Sequence, residues 1–236
     1  MVHMRRRRSY VGFLGLLVPA LMLGVLASCG EPAPGDQSSP KDRLDKAADR
    51  IGQVTSLDFT LSHEEGVTPL FSGIVLQKAE GTVEGPERAT VDVEALVSLI
   101  NSYIEMSIVI EGEGATMSDP LSGNPVPVAT SELPFNLRSL GSTLSGILRA
   151  IKEPRYAGDE TVDGVASKVI AGSITGAAIQ PLIPGADAGL SQDIEVWVGA
   201  DDLTRKVRIT GKILEGDEEP VIRVLSFRSF DSARVP

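Results

Sequence analysis

The sequence predicts an α+β fold built on one wide antiparallel sheet, and three patterns carry that prediction. Period-two alternation of apolar and polar residues recurs in about nine stretches separated by turn residues. Two other stretches, residues 42–54 and 137–151, repeat apolar residues every three or four positions, the spacing of amphipathic helices. After its first forty residues the 236-residue chain shows neither an internal repeat nor a domain boundary, so residues 41–236 read as one domain.

The elements follow in chain order. Leu44, Ala47, Ala48, Ile51 and Val54 share one helical face, and Ser39 before Pro40 supplies a favourable N-cap and first helical residue. Leu57, Phe59 and Leu61 then alternate with Asp58, Thr60 and Ser62. Residues 74–83 form a second extended stretch that turns at Gly85-Pro86. Val91, Val93 and Ala95 alternate with Thr90, Asp92 and Glu94; Ile104, Met106, Ile108 and Ile110 alternate with Glu105, Ser107 and Glu111. Four such strands in succession suggest an antiparallel meander with one apolar face. Residues 96–103 fit a short helix or a strand extension. Residues 119–134, with Pro120, Pro125, Pro127 and Pro134, read as a loop. Leu137, Leu140, Leu144, Ile147, Leu148 and Ile151 make the clearest amphipathic helix, ending before Pro154. Asp163-Gly164 marks a hairpin between strands 156–162 and 165–174. A short apolar segment, 177–183, closes at Pro184-Gly185. Ile194, Val196 and Val198 alternate with Glu195, Trp197 and Gly199; Val207, Ile209 and Ile213 return after a turn. The charged loop 215–219 leads to a last strand, 221–230.

The N-terminus reads as a targeting segment. Arg5 to Arg8 form a positive block, Val11 to Leu26 is uncharged, and small residues lead into Cys29. Leu26-Ala27-Ser28-Cys29 resembles the bacterial lipobox. That resemblance implies a signal peptide over residues 1–28 and a lipid-modified Cys29 at the mature N-terminus. Residues 29–40, rich in Pro, Gly and polar residues, read as a flexible tether. The chain is thus expected at the cell membrane, lipid-anchored and facing outside the cytoplasm. An uncleaved anchor with an incidental cysteine is the plainer alternative.

Composition narrows the chemistry. One cysteine excludes an internal disulfide and a Cys-rich zinc site. Only His3 and His63 are present, so a mature chain has His63 alone, and a multi-histidine metal site is excluded. Removing residues 1–28 takes away four arginines and no acid, which moves the net charge from −10 to −14. Such a surface repels nucleic acid and anionic headgroups. No GxGxxG loop or GxSxG elbow occurs. No cofactor, metal or catalytic residue is expected.

Several segments carry a family resemblance in their order. The lipobox and tether precede an Ala-rich helix that runs into Ser56-Leu57-Asp58-Phe59. Thr161-Val162-Asp163-Gly164-Val165 leads to Val169-Ile170-Ala171-Gly172-Ser173-Ile174. Val196-Trp197-Val198, a turn and Leu203-Thr204-Arg205-Lys206-Val207 follow, and the last strand runs into Phe230-Asp231. Over residues 41–235 this resembles the LppX/LprG-type (LppX_LprAFG) bacterial lipoproteins. The resemblance implies a half-barrel: a strongly curved antiparallel sheet, helices on its concave face and an apolar cavity between them, architecturally akin to LolA/LolB carriers. It also implies binding of the acyl chains of a lipid or glycolipid, carried or presented in the cell envelope, and no enzymatic activity. The acidic balance and the 119–134 loop depart from the family's pattern. The sequence identifies no protein partner, an envelope transporter included.

Sheet width supports an uncovered apolar face. About nine strands exceed what a few short helices cover, and only 4% of residues are aromatic. The candidate lipid-cavity residues are Leu57, Phe59, Leu61, Val91, Val93, Ile104, Met106 and Ile108 from strands, with Leu140, Leu144, Ile147 and Leu148 from the helix. Each serves a filled core equally well, as in an envelope interaction or assembly-assisting lipoprotein without lipid cargo. Trp197 falls on the polar side of its strand and is expected to pack. His63, beside Glu64 and Glu65, reads as a solvated turn residue rather than a base, and Asp201-Asp202 and residues 215–219 as exposed turns.

Overall fold

Ser39 caps the first helix, α1 (Pro40–Gly52), in the computed structural model, which describes residues 38–231 apart from 72, 121, 219 and 220. The Ser39 hydroxyl accepts from the Asp42 amide at 3.1 Å, and the Asp42 carboxylate accepts from the Ser39 amide at 3.3 Å. This reciprocal pair satisfies two orphan amides of the first turn, and Pro40 costs nothing where an N–H has no helical partner. Helix α1 thus takes in residue 40, the last residue expected in the tether. The expected signal peptide over residues 1–28, Cys29 and the expected tether as far as residue 37 lie outside the described residues. The described residues all fall in one compact unit. The core cluster, from Leu44 to Phe227, lies wholly within it, so that unit carries its own core.

Twelve strands follow α1 among the described residues: β1 (Ser56–Glu65), β2 (Thr68–Phe71), β3 (Ile74–Glu84), β4 (Arg88–Val97), β5 (Ser102–Glu111), β6 (Gly114–Ser118), β7 (Pro125–Ala129), β8 (Lys152–Val162), β9 (Val165–Thr175), β10 (Ser191–Gly199), β11 (Thr204–Thr210) and β12 (Ile222–Arg228). Helix α2 (Leu140–Arg149) stands between β7 and β8, and α3 (Gly176–Ile179) follows β9. The strands form one open, curved antiparallel sheet in the order β7-β6-β5-β4-β3-β1-β12-β11-β10-β9-β8, with β2 paired to β3. The first and last strands meet in its middle. Asp231 fastens that seam: its carboxylate accepts from the Thr55 amide at 2.8 Å and the Thr55 hydroxyl at 3.0 Å. These bonds hold the Asp231 carboxyl below its ordinary pKa.

Three strands beyond the nine expected are β2, β6 and β7. Half of the segment expected to be a loop has regular structure: β7 occupies 125–129, and a 3-10 turn spans Thr130–Glu132. Proline lacks an N–H, so Pro125 and Pro127 suit only an edge strand, and β7 is the edge. Of residues 96–103, the first two extend β4 and the last two begin β5, with a turn over 98–101 between them and no helix. Asp163 (φ 49°) and Gly164 (φ 78°) form the two-residue hairpin turn that their sequence predicts.

Register sets one apolar face of the sheet. Phe59 pairs with Phe227 on one side and with Gly81 on the other, and Gly81 pairs with Val91, which pairs with Ile108. A Cβ at Gly81 would lie 2.7 Å from the Phe59 ring, so glycine is what lets that ring lie across β3. Helices α1 and α2 share the core with this face through Leu44, Ala47, Ala48 and Ile51 and through Leu140, Leu144, Ile147 and Leu148. The two helices touch closely at Gly141, where a Cβ would stand 2.7 Å from the Ile51 carbonyl oxygen. The opposite face is polar. Trp197 belongs to it, yet is 5% exposed: its indole N–H donates to Glu160 at 2.5 Å and Lys206 stacks on its ring 3.9 Å from the centroid. The indole bond, with one donated by the Lys206 ammonium at 3.1 Å, holds the Glu160 carboxyl below its usual range.

Candidate functional site

Between the apolar sheet face and α2 lies a cavity of about 330 Å³. That is within the size range of small-molecule sites, roughly 300–1,000 Å³. Its wall is built by the register described above. Adjacent strands present Phe59, Leu61, Val91, Val93, Met106 and Ile108, and α2 presents Leu140, Leu144, Ile147 and Leu148 from its buried stripe. These ten of the twelve sequence-derived candidates line one space.

Leu57 and Ile104 do not line it. Leu57 is 2% exposed, pairs with Val83 and packs in the filled core toward the other end of the sheet. Ile104 lies on the correct face but near the end of β5, paired with Ala95, and only packs against the core from its margin. Alternation assigns a face and is blind to position along the strand, which excludes these two.

Two further sources add to the wall. Leu76, Ala79, Val207, Ile209, Leu225 and Phe227 come from strands whose alternation was legible but whose place beside β1 was not. Irregular segments add Phe135, Leu182, Ile183 and Leu214, beside Pro69 and Leu70 of β2. These side chains stay half-buried and mark where the wall meets solvent. The segments touch one another: a Cβ at Gly185 would lie 3.5 Å from Leu214, and one at Gly216 would lie 3.7 Å from Pro69. They form a rim that has no helical or strand period to betray it.

Three lining residues carry side-chain nitrogen or oxygen: Thr68, Thr204 and Arg223. The Thr204 hydroxyl is buried without a hydrogen-bond partner. Arg223 is the only charged one, and it is held in a closed polar cluster at the rim. Its guanidinium donates to Asp217 at 2.5 Å and to the Thr68 hydroxyl at 2.7 Å. Asp217 has no exposed side-chain surface and also accepts from the amides of Ile213 at 2.8 Å and Leu214 at 3.0 Å. The buried pair is therefore neutral overall and fixes the 211–217 segment against β12.

His63 completes the cluster. Its Nδ1 lies 3.3 Å from the Gln77 carbonyl, which can only accept, so Nδ1 carries the proton. Nε2, 2.8 Å from the Thr68 hydroxyl, then accepts. A directed chain runs from Arg223 through Thr68 to His63, tying β2 to β1 and β12. Burial lowers the His63 pKa, and the Arg223 charge lowers it further, against the Gln77 carbonyl and Asp217. His63 is thus a half-buried strand residue and not a solvated turn residue, because β1 continues past it to Glu65 with a bulge. Asp217 likewise departs from the exposed-turn expectation for 215–219.

Among the described residues no group of three or more His, Cys, Asp and Glu side chains is placed to hold a metal ion. No described helix is long and apolar enough to cross a membrane.

Comparison with known proteins agrees with this architecture. The sequence profile of the LppX_LprAFG lipoprotein family matches residues 39–222. The crystal structure of LprF from Mycobacterium bovis superposes with a TM-score of 0.62 at 14% identity, covering 87% of this chain and 97% of that one. The lipoprotein LppX from Mycobacterium tuberculosis gives 0.58 at 14% identity, covering 83% and 97%. No curated protein matches the chain in sequence.

Proposed function

The chain belongs to the LppX_LprAFG lipoprotein family, and from that premise we propose that it binds the acyl part of a lipid or glycolipid in its apolar cavity. It carries or presents that lipid in the cell envelope, anchored through a lipid on Cys29. The observation that supports this reading is the composition of the wall: thirty residues, three of them with polar side-chain atoms and one of those already neutralised. Water gains nothing from such a space, whereas an acyl chain leaves water for it at roughly 25 cal/mol per Å² of apolar surface. The half-barrel frame suits the task. A wide curved sheet leaves its two sides apart, and α2 roofs the gap without filling it. The headgroup stays at the rim formed by β2, residues 182–185 and residues 213–217. No step calls for a nucleophile or base. An assembly-assisting role with a filled core is less well supported, since it gives the cavity no purpose.

The test is native mass spectrometry of the protein expressed without residues 1–28, together with uptake of a fluorescent fatty acid. Bound lipid in the parent is expected. Leu144→Trp, which places an indole into the cavity, should cut uptake about tenfold or more with little change in unfolding temperature. Ile104→Ala should leave uptake within twofold. A parent with no co-purified lipid and no uptake overturns the reading.

A further inference from the structure

The β4–β5 turn carries the most exposed large apolar side chains among the described residues. Leu99 is 92% exposed, Tyr103 72% and Ile100 68%. Isolated apolar residues on a surface are ordinary. A Leu-Ile pair at a turn apex is not, because turns are normally built from Gly, Asn, Asp, Ser and Pro. At these exposures the pair adds nothing to the core, so folding does not explain it.

Register places this apex at the rim end of the sheet. Ile104 pairs with Ala95 and Ala95 with Leu76, a cavity-lining residue, so the apex extends beyond Leu76 at the same end. The Ser98 amide donates to the Gly73 carbonyl at 2.8 Å, which ties the apex to the turn after β2, the strand that contributes Pro69 and Leu70 to the rim.

We propose that Leu99 and Ile100, with Tyr103 beside them, dock the protein onto a neutral phospholipid surface and hold the cavity rim against it. The purpose rests on the lipid-binding reading above; the test does not. Charge favours this occupant. Ala95 to Ile104 is ten successive uncharged residues bounded by Glu94 and Glu105, so the apex enters a headgroup layer without carrying a charge into it. The chain as a whole is acidic, at −10, so it cannot adhere to anionic lipid by charge and must adhere through apolar insertion. Size points the same way. Two aliphatic side chains and one ring offer far less than the ~800 Å² per partner that a stable protein interface buries. Tyrosine, with an apolar ring and a polar tip, suits the boundary between water and acyl chains.

The experiment uses residues 30–236, which contain every described element and the whole described core, floated with pure phosphatidylcholine vesicles at physiological salt. The parent is expected to float, and the Leu99→Ser, Ile100→Ser double variant to lose about tenfold or more in partition coefficient, with an unchanged thermal melt. The swap Leu99→Ile, Ile100→Leu should stay within twofold of the parent. A polarity-sensitive dye on Asn101→Cys should shift to the blue with vesicles, while the same dye on Asp163→Cys, at the other end of the sheet, should not. A parent that does not float, equal flotation of parent and double variant, or no dye shift at 101 each overturns the proposal. So does a parent dimer that the double variant converts to monomer without any vesicle binding, which assigns the patch to a second copy. Flotation reads docking even from an empty cavity, so failure of the cavity reading registers separately, in the mass spectrum.

Discussion

Asp217 and Arg223 are the residues on which the rim depends. With side chains 0% and 3% exposed, neither charge can turn to water if its partner is lost. Asp217→Asn should therefore destabilise by about 3–5 kcal/mol, the usual cost of orphaning a buried charge, read as a lower urea midpoint. A variant within about 0.5 kcal/mol of the parent would show that the pair is solvated in practice. His63 adds a pH dependence whose sign follows from its lowered pKa. The unfolded chain takes up a proton near pH 6.5, while the folded protein resists until lower pH, so stability is full above that value and declines as pH falls below it. His63→Gln should flatten the change in urea midpoint between pH 8 and pH 5. The lowered carboxyls of Asp42, Glu80, Glu160 and Asp231 act in the same direction, but from reference values of 3.8 to 4.5, and leave that window to His63. None of this cluster was legible in the chain. Arg223 alternates inward with Leu225 and Phe227, but a lone arginine in an apolar rhythm reads as an interruption until Asp217 and Thr68 are brought to it.

At the scale of elements, the close contact of α1 and α2 sets the height of the roof over the cavity. Gly141 is the point of approach, and a methyl group there meets the Ile51 carbonyl at 2.7 Å. Gly141→Ala should cost about 1–3 kcal/mol by forcing the helices apart, seen as a lower melting temperature, despite the better helix propensity of alanine. An unchanged or higher melting temperature would mean the helices shift freely. Both helices were legible, since Ser39-Pro40 and the Leu140, Leu144, Ile147, Leu148 stripe are local signals. The nine longer strands were legible by alternation for the same reason. The three that escaped are short or carry prolines at alternate positions, as Pro125 and Pro127 do in β7, and are strands only because a neighbour offers them a ladder.

For the whole molecule the decisive question is how it is held in place. Cys29→Ser should leave the precursor uncleaved or the protein free of lipid, seen as a mass change and as loss of the lipid-modified membrane fraction; unaltered mass and fractionation would remove the anchor from the proposal. The sequence by itself determined the antiparallel sheet with few helices, the order of its two long helices and nine longer strands, the inward face of most strands and the family. Those rest on local periodicity, capping and composition, which a linear string retains. The tertiary structure alone decided which inward residues face open space. Leu57 and Val91 read alike in sequence, both inward and apolar, yet one packs in the filled part of the core and the other lines the cavity. Empty volume belongs to no residue. It is what remains when a twelve-stranded sheet, two helices and three rim segments are set at their final distances, and those distances depend on contacts far apart in the chain.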